Sequence, residues 1–393
     1  MGASLKILLL NDTLPPESAG GAARIVVETS VSLAAHGHAV TILASSDNPL
    51  SLIEIPNVQI ITIKRHSKRW AHYRSVFSGR VAREVLKVID EVNPDIIHGH
   101  SITWQIGYKW IHGATKRKIP CFFTHHSVAP VAYWKVTGKE RFLVLRDLFL
   151  ARWTFNPLRN LLIRRALNKT HSLCVSNALK QYLERFGYKN LETLHNGIDV
   201  NFWESSDDKH SIRQKLGIPA NAPVFLLAGR LGHDKGLVFL WNLWPSLKGD
   251  PHLILAGQMP LKIPEKLKSQ MHVFLNQSPE KMRDHYSACD VSLIPSICFD
   301  SFPTVALESM ACRRPVISAE RGGGNESIKD GETGWIVSIE DSSAWKERLQ
   351  WCIDHRSELS QFGEAGRRRM KKEFSLEKYI DGLENLYKHI AKS

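Results

Sequence analysis

The sequence predicts an α/β protein with two doubly wound, Rossmann-like domains, and three observations carry that prediction. Short apolar segments alternate with longer amphipathic segments along nearly the whole chain. Strands that alternate with helices indicate parallel sheets covered by helices on both faces. The scheme occurs once in each half of the chain, and 393 residues are enough for two hydrophobic cores.

The first half contains several strand candidates, each a short apolar run bounded by polar or turn-forming residues. They are the segments 6–10, 39–44, 59–63, 96–100, 121–125 and 172–176. Helical periodicity falls between most of them, for example in 22–36 and 80–92.

The second half repeats the scheme, with strand candidates at 224–228, 252–256, 272–275, 291–295, 315–319 and 334–337. A polar, non-periodic segment, 197–211, separates the two halves. We therefore expect an N-terminal domain over 1–203 and a C-terminal domain over 204–375. The last helices are expected at 341–354, 356–374 and 377–391.

The composition predicts the cellular compartment and the class of partner. The formal net charge of +13 favours an anionic partner, which could be a nucleic acid, a phosphorylated ligand or an anionic membrane surface. No two of the six cysteines are spaced as C-x-x-C, so we expect free thiols in a reducing compartment. No apolar run reaches the roughly 20 residues of a membrane-spanning helix, and a cytoplasmic location is expected.

The first phosphate-binding candidate is a pair of glycines, Gly20 and Gly21, just before a predicted helix. Neither G-x-G-x-x-G after the first strand nor G-x-x-x-x-G-K-[ST] is present. Without side chains, however, two glycines let backbone N–H groups approach an anion at the start of a helix. A flexible turn is the alternative interpretation.

The second candidate is "LLAGRLGHDKG", 226–236, in which Arg230 and Lys235 flank a turn that contains Gly232. Arginine offers a planar fork to phosphate oxygens and lysine a point charge. Both would lie at the carboxyl end of a parallel strand, where open α/β sheets bind ligands. The alternative is a surface loop with solvated cations.

The third candidate is "DSFPTVALE", where Asp300 and Glu308 stand eight positions apart. We expect Asp300 in a loop and Glu308 at least one turn into a helix. The start of that helix, near 303–305, has free N–H donors and a positive dipole end. A ligand with an anion in the middle and hydroxyl groups at both ends, such as a sugar–diphosphate–ribose, would match. Helix capping by Asp300 with a surface Glu308 is the alternative.

Taken in order, these segments resemble the GT4 family of retaining glycosyltransferases over nearly the whole chain. The family has the GT-B fold, in which two doubly wound domains face each other across a cleft. The matching segments are the Gly20–Gly21 loop, "SLAAHGHAVTI" at 32–42, "NGID" at 196–199, "GRLGHDKG" at 229–236, "GGGNESIKDGETGWIV" at 322–337 and the two acids eight apart. The first acid is usually Glu in the family, and Asp300 here leaves donor identity open.

The resemblance implies roles for particular residues. Arg230 and Lys235 would neutralise the donor diphosphate, Glu308 would hold the ribose hydroxyls, and Asp300 would contact the transferred sugar. The other donor contacts implied are Gly20 and Gly21 over the diphosphate, Phe274 and Leu275 at the base, and the helix start at Phe302, Pro303, Thr304 and Val305.

A histidine is also implied, because the family carries a Thr-x-His pattern that "FFTHHS" matches at Thr124 and His126. Adjacent strand residues point to opposite faces, so only one of His125 and His126 is expected to face the ligand. We expect His126 to contact the donor sugar and His125 to be packed or at the surface. A structural histidine at the end of a strand is the alternative.

A metal site is an alternative interpretation of four histidines at the ends of predicted strands, His98, His100, His125 and His126, because imidazoles bind zinc or nickel. No carboxylate or cysteine stands beside them, and GT-B enzymes need no bound metal. We therefore expect no metal and no cofactor, with a nucleotide-diphosphate sugar as donor substrate, a UDP-sugar rather than a GDP-sugar.

Two basic stretches, 64–87 and 133–169, interleave Lys and Arg with aromatic residues and leucines. Such a pattern is typical of a helix that lies in an anionic membrane interface, or of an amphipathic helix packed on its own domain. The first interpretation predicts a peripheral protein on the inner face of the cytoplasmic membrane. Its acceptor would be lipid-linked or a membrane glycan, as in lipopolysaccharide synthesis, and no nucleic-acid module is present.

The resemblance further implies that the N-terminal domain binds the acceptor and that the last helix, 376–393, packs back on it. Two alternatives to a metal-independent hexosyltransferase stay open. One is a GT-B-shaped protein that binds a nucleotide sugar or glycan without transfer. The other is a nucleotide-sugar epimerase on the same fold.

Overall fold

The computed structural model of the chain contains two compact units. It describes residues 4–18, 20–48, 54–66, 71–131, 157–204, 208–259 and 261–391. The first unit holds the described residues up to Asn196 and those from Tyr379 onwards, and the second unit is Gly197–Lys378.

The first unit is built on one parallel sheet. Its strands are β1 (Lys6–Leu10), β2 (Ala39–Ser46), β3 (Val58–Lys64), β4 (Ile96–Gly99), β5 (Cys121–His125), β6 (His171–Cys174) and β7 (Leu191–Thr193). They lie in the order β3-β2-β1-β4-β5-β6-β7, and every neighbouring pair is parallel. The six predicted strands are confirmed. Strand β7 was not predicted, because its three residues, Leu-Glu-Thr, carry no readable alternation.

Helices accompany this sheet along the chain. In the described part they are α1 (Gly21–Ala35), α2 (Ala71–Phe77), α3 (Gly79–Val92), α4 (Trp110–Lys116), α5 (Pro157–Leu167) and α6 (Asn177–Arg185). Helix α3 shows which residues determine where a helix begins and ends. Ser78 caps its first turn by accepting a hydrogen bond from the N–H of Val81, and it ends at Asn93 in a left-handed conformation with φ 46°. Its apolar face is buried, at Val81, Ala82, Val85, Val88 and Ile89.

The second unit has its own parallel sheet. Its strands are β8 (Val224–Arg230), β9 (His252–Gln258), β10 (Met271–Leu275), β11 (Val291–Ile294), β12 (Val316–Ala319) and β13 (Gly334–Val337). They lie in the order β10-β9-β8-β11-β12-β13, again with parallel neighbours throughout. All six predicted strands are confirmed, as is the α/β class with two Rossmann-like sheets.

The described helices of the second half are α7 (Lys209–Lys215), α8 (Leu237–Leu243), α9 (Pro279–Ala288), α10 (Thr304–Ala311), α11 (Gly324–Ser327), α12 (Ser342–Asp354), α13 (Leu359–Glu373) and α14 (Leu376–Ala391). Helix α14 belongs to the first unit from Tyr379 onwards. There the ring of His36 lies 2.6 Å from the carboxylate of Glu384.

The units divide at 196/197, a few residues before the expected boundary at 203/204. The reason is that the segment after Gly197 is bonded to the second unit. The N–H of Ile198 donates to the carbonyl of Phe374 at 3.0 Å, and the guanidinium of Arg367 donates to the carbonyl of Val200 at 3.1 Å. Trp203, which is buried, packs edge-on against Tyr286.

Each sheet has one point where the strand order reverses. In the first unit it lies between β1 and β4, and in the second between β8 and β11. Loops that leave the carboxyl ends of strands diverge at such a point and leave a crevice, which is where open α/β sheets bind ligands. Each unit therefore has one crevice of this kind.

All six cysteines are buried free thiols, as expected. None of the helices in the described part of the chain combines the length and the apolar character that crossing a bilayer requires.

A buried carboxylate joins the two loops at the crevice of the first unit. Asp12, just after β1, accepts the backbone N–H groups of Trp104 at 2.5 Å, Gln105 at 3.0 Å and Ile106 at 2.9 Å, all in the loop after β4. Burial raises the pKa of Asp12 to about 6, and the three N–H donors oppose that rise. The carboxylate thus fixes three consecutive residues of the neighbouring loop.

This arrangement predicts that Asp12→Asn destabilises the first unit. The amide NH2 would face at least one backbone N–H that now has an acceptor, and an unsatisfied buried donor costs about 1–3 kcal/mol. Urea unfolding measures the loss. Hydrogen exchange should localise it to the amides of Trp104, Gln105 and Ile106.

The matched control is Asp90→Asn, which alters an exposed carboxylate paired with Arg117 at 2.7 Å. It should leave the unfolding midpoint nearly unchanged, because exposed ion pairs contribute little. Equal midpoints for the two variants would contradict the role given to Asp12.

Candidate functional site

A pocket of about 500 Å³ lies in the second unit, on the β9 side of β8, next to the crevice between β8 and β11. The pocket lies at the carboxyl ends of β8, β9 and β10, and its lining includes Arg230, Gly232, Asp234, Gly257, Leu275 and Asn276. Two of these positions, Arg230 and Leu275, were predicted from the sequence. They come from separate strands that the parallel register brings to one edge.

Two glycines allow the loops of this edge to approach closely. Gly257 has φ 140°, and a Cβ there would lie 1.9 Å from the carbonyl oxygen of Gly229 on β8. Gly236 has φ 75°, and its Cβ would lie 1.9 Å from the carbonyl oxygen of Pro295, just after β11. Any side chain at Gly236 would therefore push apart the loops that carry Lys235 and Asp300.

Lys235 and Asp300 meet at the centre of the site. The Lys235 ammonium contacts the carboxylate of Asp300, which also accepts a hydrogen bond from the Ser296 hydroxyl at 3.1 Å. Burial alone would lower the pKa of Lys235, but the nearby Asp300, Cys298 and Asp234 raise it overall. The lysine therefore stays protonated and keeps its charge where the two loops meet.

Backbone bonds hold these loops together around that pair. The carbonyl of Asp234 accepts the N–H of Ile297 at 2.9 Å, and the carbonyl of Asp300 accepts the N–H of Gly323 at 2.8 Å. Gly322, at φ 76°, lies so close to Asp300 that a Cβ would be 2.1 Å from its carbonyl oxygen. The glycine-rich segment "GGG" at 322–324 thus positions the acidic loop.

The structure rules out the alternative interpretation of the two acids. Helix α10 begins at Thr304 with Pro303 as its N-cap and no side-chain capping bond, so Asp300 is not the cap. Glu308 is not on the surface, because it is 4% exposed and its carboxylate accepts the Tyr286 hydroxyl at 2.9 Å. As expected, Asp300 lies in the loop and Glu308 beyond the first turn.

The start of α10 combines buried and accessible residues. Phe302 and Pro303 are buried, whereas Thr304 and Val305 are partly exposed. With no side chain capping the first turn, its backbone N–H groups can serve an anion. The predicted group of four residues therefore includes two that can be reached by a ligand.

The predicted base-binding residues follow β10 to its end. Leu275 is 51% exposed, whereas the ring of Phe274 packs on His285 with centroids 4.6 Å apart. Asn276 then turns the chain with φ 50° and donates its N–H to the carbonyl of Gly257 at 3.2 Å. The exposed aliphatic side chain of Leu275 lines the pocket and offers an apolar contact there.

The remaining predicted positions lie in the first unit. Gly20 is the N-cap of α1 and Gly21 its first residue, both exposed and without a capping side chain. His126 follows β5, and its Nε2 lies 3.1 Å from Nδ1 of His100. Burial lowers the pKa of His126 to about 4, so the imidazole is neutral near pH 7.

Two other histidines of this group, His98 and His125, are buried in the first unit. His125 is packed, with its ring 4.7 Å from that of Phe123. His98 is 2.5 Å from the hydroxyl of Tyr387 through Nδ1 and 2.8 Å from that of Thr124 through Nε2. Across the described ranges, no group of three or more His, Cys, Asp or Glu side chains is arranged to hold a metal ion.

The basic stretches contain both buried and exposed cations. Arg65 is bonded to the carboxylate of Glu17, and Arg159, on α5, is 5% exposed. On α3 the side chains of Arg80 and Lys87 are 64% and 80% exposed, and each is paired with a carboxylate of its own helix, Glu84 at 3.4 Å and Glu91 at 3.7 Å. Residues 67–70 and 132–156, which hold much of the predicted membrane-binding pattern, lie outside the described residues.

Ser296 and Tyr286 are site residues that the sequence did not indicate. Ser296 stands four positions before Asp300, in a loop whose path cannot be read from a pattern. Tyr286 lies on α9, remote in sequence from the residue it bonds, Glu308. Only the packing of α9 beside α10 brings them together.

Comparison with known proteins agrees with this geometry. The family profile of "Glycosyl transferases group 1" matches residues 208–369, and that of "Glycosyltransferase Family 4" matches residues 19–202. The alpha-maltose-1-phosphate synthase of Mycobacterium tuberculosis (strain ATCC 25618 / H37Rv) is 25% identical over 322 residues, which is 75% of this chain and 79% of that protein.

Solved structures share the fold over nearly the full length. Sucrose-phosphate synthase from Thermosynechococcus elongatus superimposes with a TM-score of 0.82 at 19% identity, covering 99% of this chain and 100% of that one. Anabaena HepE in complex with UDP gives a TM-score of 0.76 at 16% identity, covering 98% and 100%. The chain belongs to the group 1 glycosyltransferases of the GT4 type, with the GT-B fold.

Proposed function

We propose that this glycosyltransferase is a retaining, metal-independent enzyme that transfers a hexose from a nucleoside-diphosphate sugar bound in the second unit. The observation that carries the proposal is the ion pair of Lys235 with Asp300 where the loops after β8 and β11 meet. Arg230 lines the adjoining pocket, so two cations stand at the edge of the sheet where a diphosphate would bind.

The donor would lie across this edge. Its diphosphate would contact Arg230, Lys235 and the accessible N–H groups at the start of α10, at Thr304 and Val305. Glu308, buried and bonded to Tyr286, would accept hydrogen bonds from the ribose hydroxyls. The base would contact the end of β10, at Leu275 and Phe274.

The transferred sugar would be held by hydrogen bonds to its hydroxyl groups. The carboxylate of Asp300 has further lone pairs for a sugar hydroxyl. His126, which is neutral, can donate to or accept from another hydroxyl. Gly20 and Gly21 add backbone N–H groups at the start of α1, where a phosphate can approach without meeting a side chain.

The proposed mechanism depends on where negative charge develops as the donor bond breaks. The bond between the anomeric carbon and the β-phosphate oxygen breaks, and negative charge accumulates on the leaving diphosphate. Lys235 and Arg230 stabilise that charge, which is preorganised electrostatic catalysis. The acceptor hydroxyl forms the new bond on the same face and passes its proton to a leaving phosphate oxygen, so configuration is retained.

The proposed donor is a UDP-sugar rather than a GDP-sugar. Support comes from HepE, a structural neighbour that is described in complex with UDP. No cofactor or metal is part of the proposed reaction.

Loss of the Lys235 charge should impair catalysis more than folding. We expect Lys235→Ala to lower kcat by roughly 10²-fold or more, since one stabilising charge at a developing anion is worth that much. The assay is release of nucleoside diphosphate from UDP-, GDP-, ADP- and dTDP-linked hexoses in the presence of a glycolipid extract. Chromatography of the sugar products without extract separates transfer from epimerisation.

The matched control is Lys346→Ala, which removes an exposed lysine from α12. It should have wild-type activity. Near wild-type activity of Lys235→Ala would remove Lys235 from the mechanism. If an epimerised nucleotide sugar forms from the donor alone, the enzyme is an epimerase and not a transferase.

We further propose that the acceptor is lipid-linked or a membrane glycan, and that the enzyme is peripheral on the inner face of the cytoplasmic membrane. Support comes from the net charge of +13 and from an exposed stripe on α3. Arg80, Arg83 and Lys87 are all exposed on that helix. Their spacing sets them along one face, and exposed Phe77 stands just before the helix.

Flotation with liposomes tests this proposal. The protein should float with vesicles that contain phosphatidylglycerol and not with phosphatidylcholine alone, and added salt should release it. Binding should fall when three exposed cations of α3 are reversed to Glu, namely Arg80, Arg83 and Lys87.

A control of equal charge change reverses three exposed lysines of the second unit, Lys262, Lys266 and Lys268. It should bind as wild type does. Failure of the wild type to float at low salt, or equal loss in both triple variants, would leave a soluble acceptor as the better explanation.

A further inference from the structure

A row of polar side chains lies along one face of two neighbouring strands in the first unit, and the proposed function uses only one of them, His126. His98 lies on β4 and His100 directly follows it, whereas Thr124 lies on β5 and His126 directly follows that strand. Side chains two positions apart in a strand share a face. The parallel register pairs His98 with Phe122, so the histidines meet at the carboxyl ends of both strands.

His98 is fixed at the buried end of this row. Its Nδ1 lies 2.5 Å from the hydroxyl oxygen of Tyr387, on α14, and its Nε2 lies 2.8 Å from that of Thr124. Both ring nitrogens are therefore engaged, and the ring cannot turn without losing a hydrogen bond. The ring of His100 is stacked on it, with centroids 4.2 Å apart and an angle of 28° between the rings. This stack holds the plane of the His100 ring.

His100 is in turn bonded to His126. Its Nδ1 lies 3.1 Å from Nε2 of His126, and the angle between the two rings is 24°. His100 is 1% exposed, and its backbone N–H donates to the carbonyl of Leu10 on β1 at 2.9 Å. His126 is partly exposed. One nitrogen of the His126 ring is thus bonded inside the protein, which leaves Nδ1 for a ligand.

The bond between these two rings could form in two ways. Burial lowers the pKa of His126 to about 4 and that of His100 well below its usual range, so each ring is neutral and carries one N–H. If His126 donated, Nε2 of His100 would carry a proton, and within the described ranges this buried nitrogen has no partner. If His100 donates from Nδ1, its Nε2 carries no proton. A buried N–H without an acceptor is costly and rare, so the second arrangement is favoured.

We infer that His100 is a positioning residue that holds His126 in the tautomer with the proton on Nδ1, so that His126 presents an N–H group to a hydroxyl oxygen of the transferred sugar. The inference rests on the proposed function, because it deepens the role given there to His126. His100 does not touch the sugar itself, because its ring is buried. It acts by removing the other tautomer, in which Nδ1 of His126 could only accept.

Long-range proton–nitrogen correlation NMR tests the tautomer on the full chain, labelled with nitrogen-15 in its histidines and free of any ligand. It reports which ring nitrogen carries the proton, and the signals that vanish in His126→Gln belong to His126. The wild type near pH 7 should show His126 protonated on Nδ1. His100→Phe keeps the stacked ring and removes the bond, and should give both tautomers. His100→Asn, whose amide can donate in place of Nδ1–H, should restore the Nδ1 form.

Kinetics test whether this tautomer serves the transfer. The assay is release of nucleoside diphosphate from the same panel of hexose donors that is used for Lys235→Ala. His100→Phe should lower kcat about tenfold and leave KM for the donor within about twofold, because a hydrogen bond to the sugar is lost while the diphosphate contacts remain. His100→Asn should recover most of the lost kcat.

The matched control is His125→Phe. His125 is as buried as His100, but its ring packs against Phe123, on the other face of β5. In this variant His126 should keep its proton on Nδ1, and kcat should equal that of the wild type.

The tautomer of the wild type decides the inference even where a variant fails to fold. The inference is overturned if wild-type His126 carries its proton on Nε2, if His100→Phe leaves the tautomer or kcat unchanged, or if His100→Asn gives the same mixture as His100→Phe. Failure of the proposed function is a separate result, because it would appear as no turnover of any hexose donor by the wild type, while the NMR signals need no donor.

Discussion

The contact of Lys235 with Asp300 is the interaction on which the proposed donor site depends. It joins the two loops that diverge at the switch point of the second sheet, and it keeps the lysine charged although it is largely removed from solvent. Gly236 permits the contact, because any side chain there would meet Pro295. Asp300 is shorter by one methylene than the Glu usual in the family, and its partner is the lysine proposed to bind the donor phosphate.

Much of the fold was readable from the sequence because parallel strands buried on both faces form continuous apolar runs. Twelve strands were found in that way, and the helix of Glu308 was placed to within one residue. Strand β7 was missed because three residues are too few for a pattern. The boundary between the units lies before the predicted one, because Ile198 bonds to Phe374, which is far away in sequence.

The candidate site could be predicted where its chemistry is local. Two short motifs carry the predicted side chains, Arg230 with Lys235 and Asp300 with Glu308. Residues that are close in sequence stay close in the fold, so such motifs can be recognised from the sequence. Ser296, Tyr286 and Asp12 could not be found, because each acts on a residue brought near by tertiary packing.

The most direct test of the central claim is calorimetric titration of UDP, GDP, ADP and dTDP into the wild type and into Glu308→Ala. A crevice built for a nucleoside diphosphate should bind one of them, UDP by this account, with weaker binding in the variant. The variant loses the carboxylate assigned to the ribose, and each tenfold loss corresponds to about 1.4 kcal/mol. If none of the four binds, or if Glu308→Ala binds as tightly as the wild type, the assignment of the donor site is wrong.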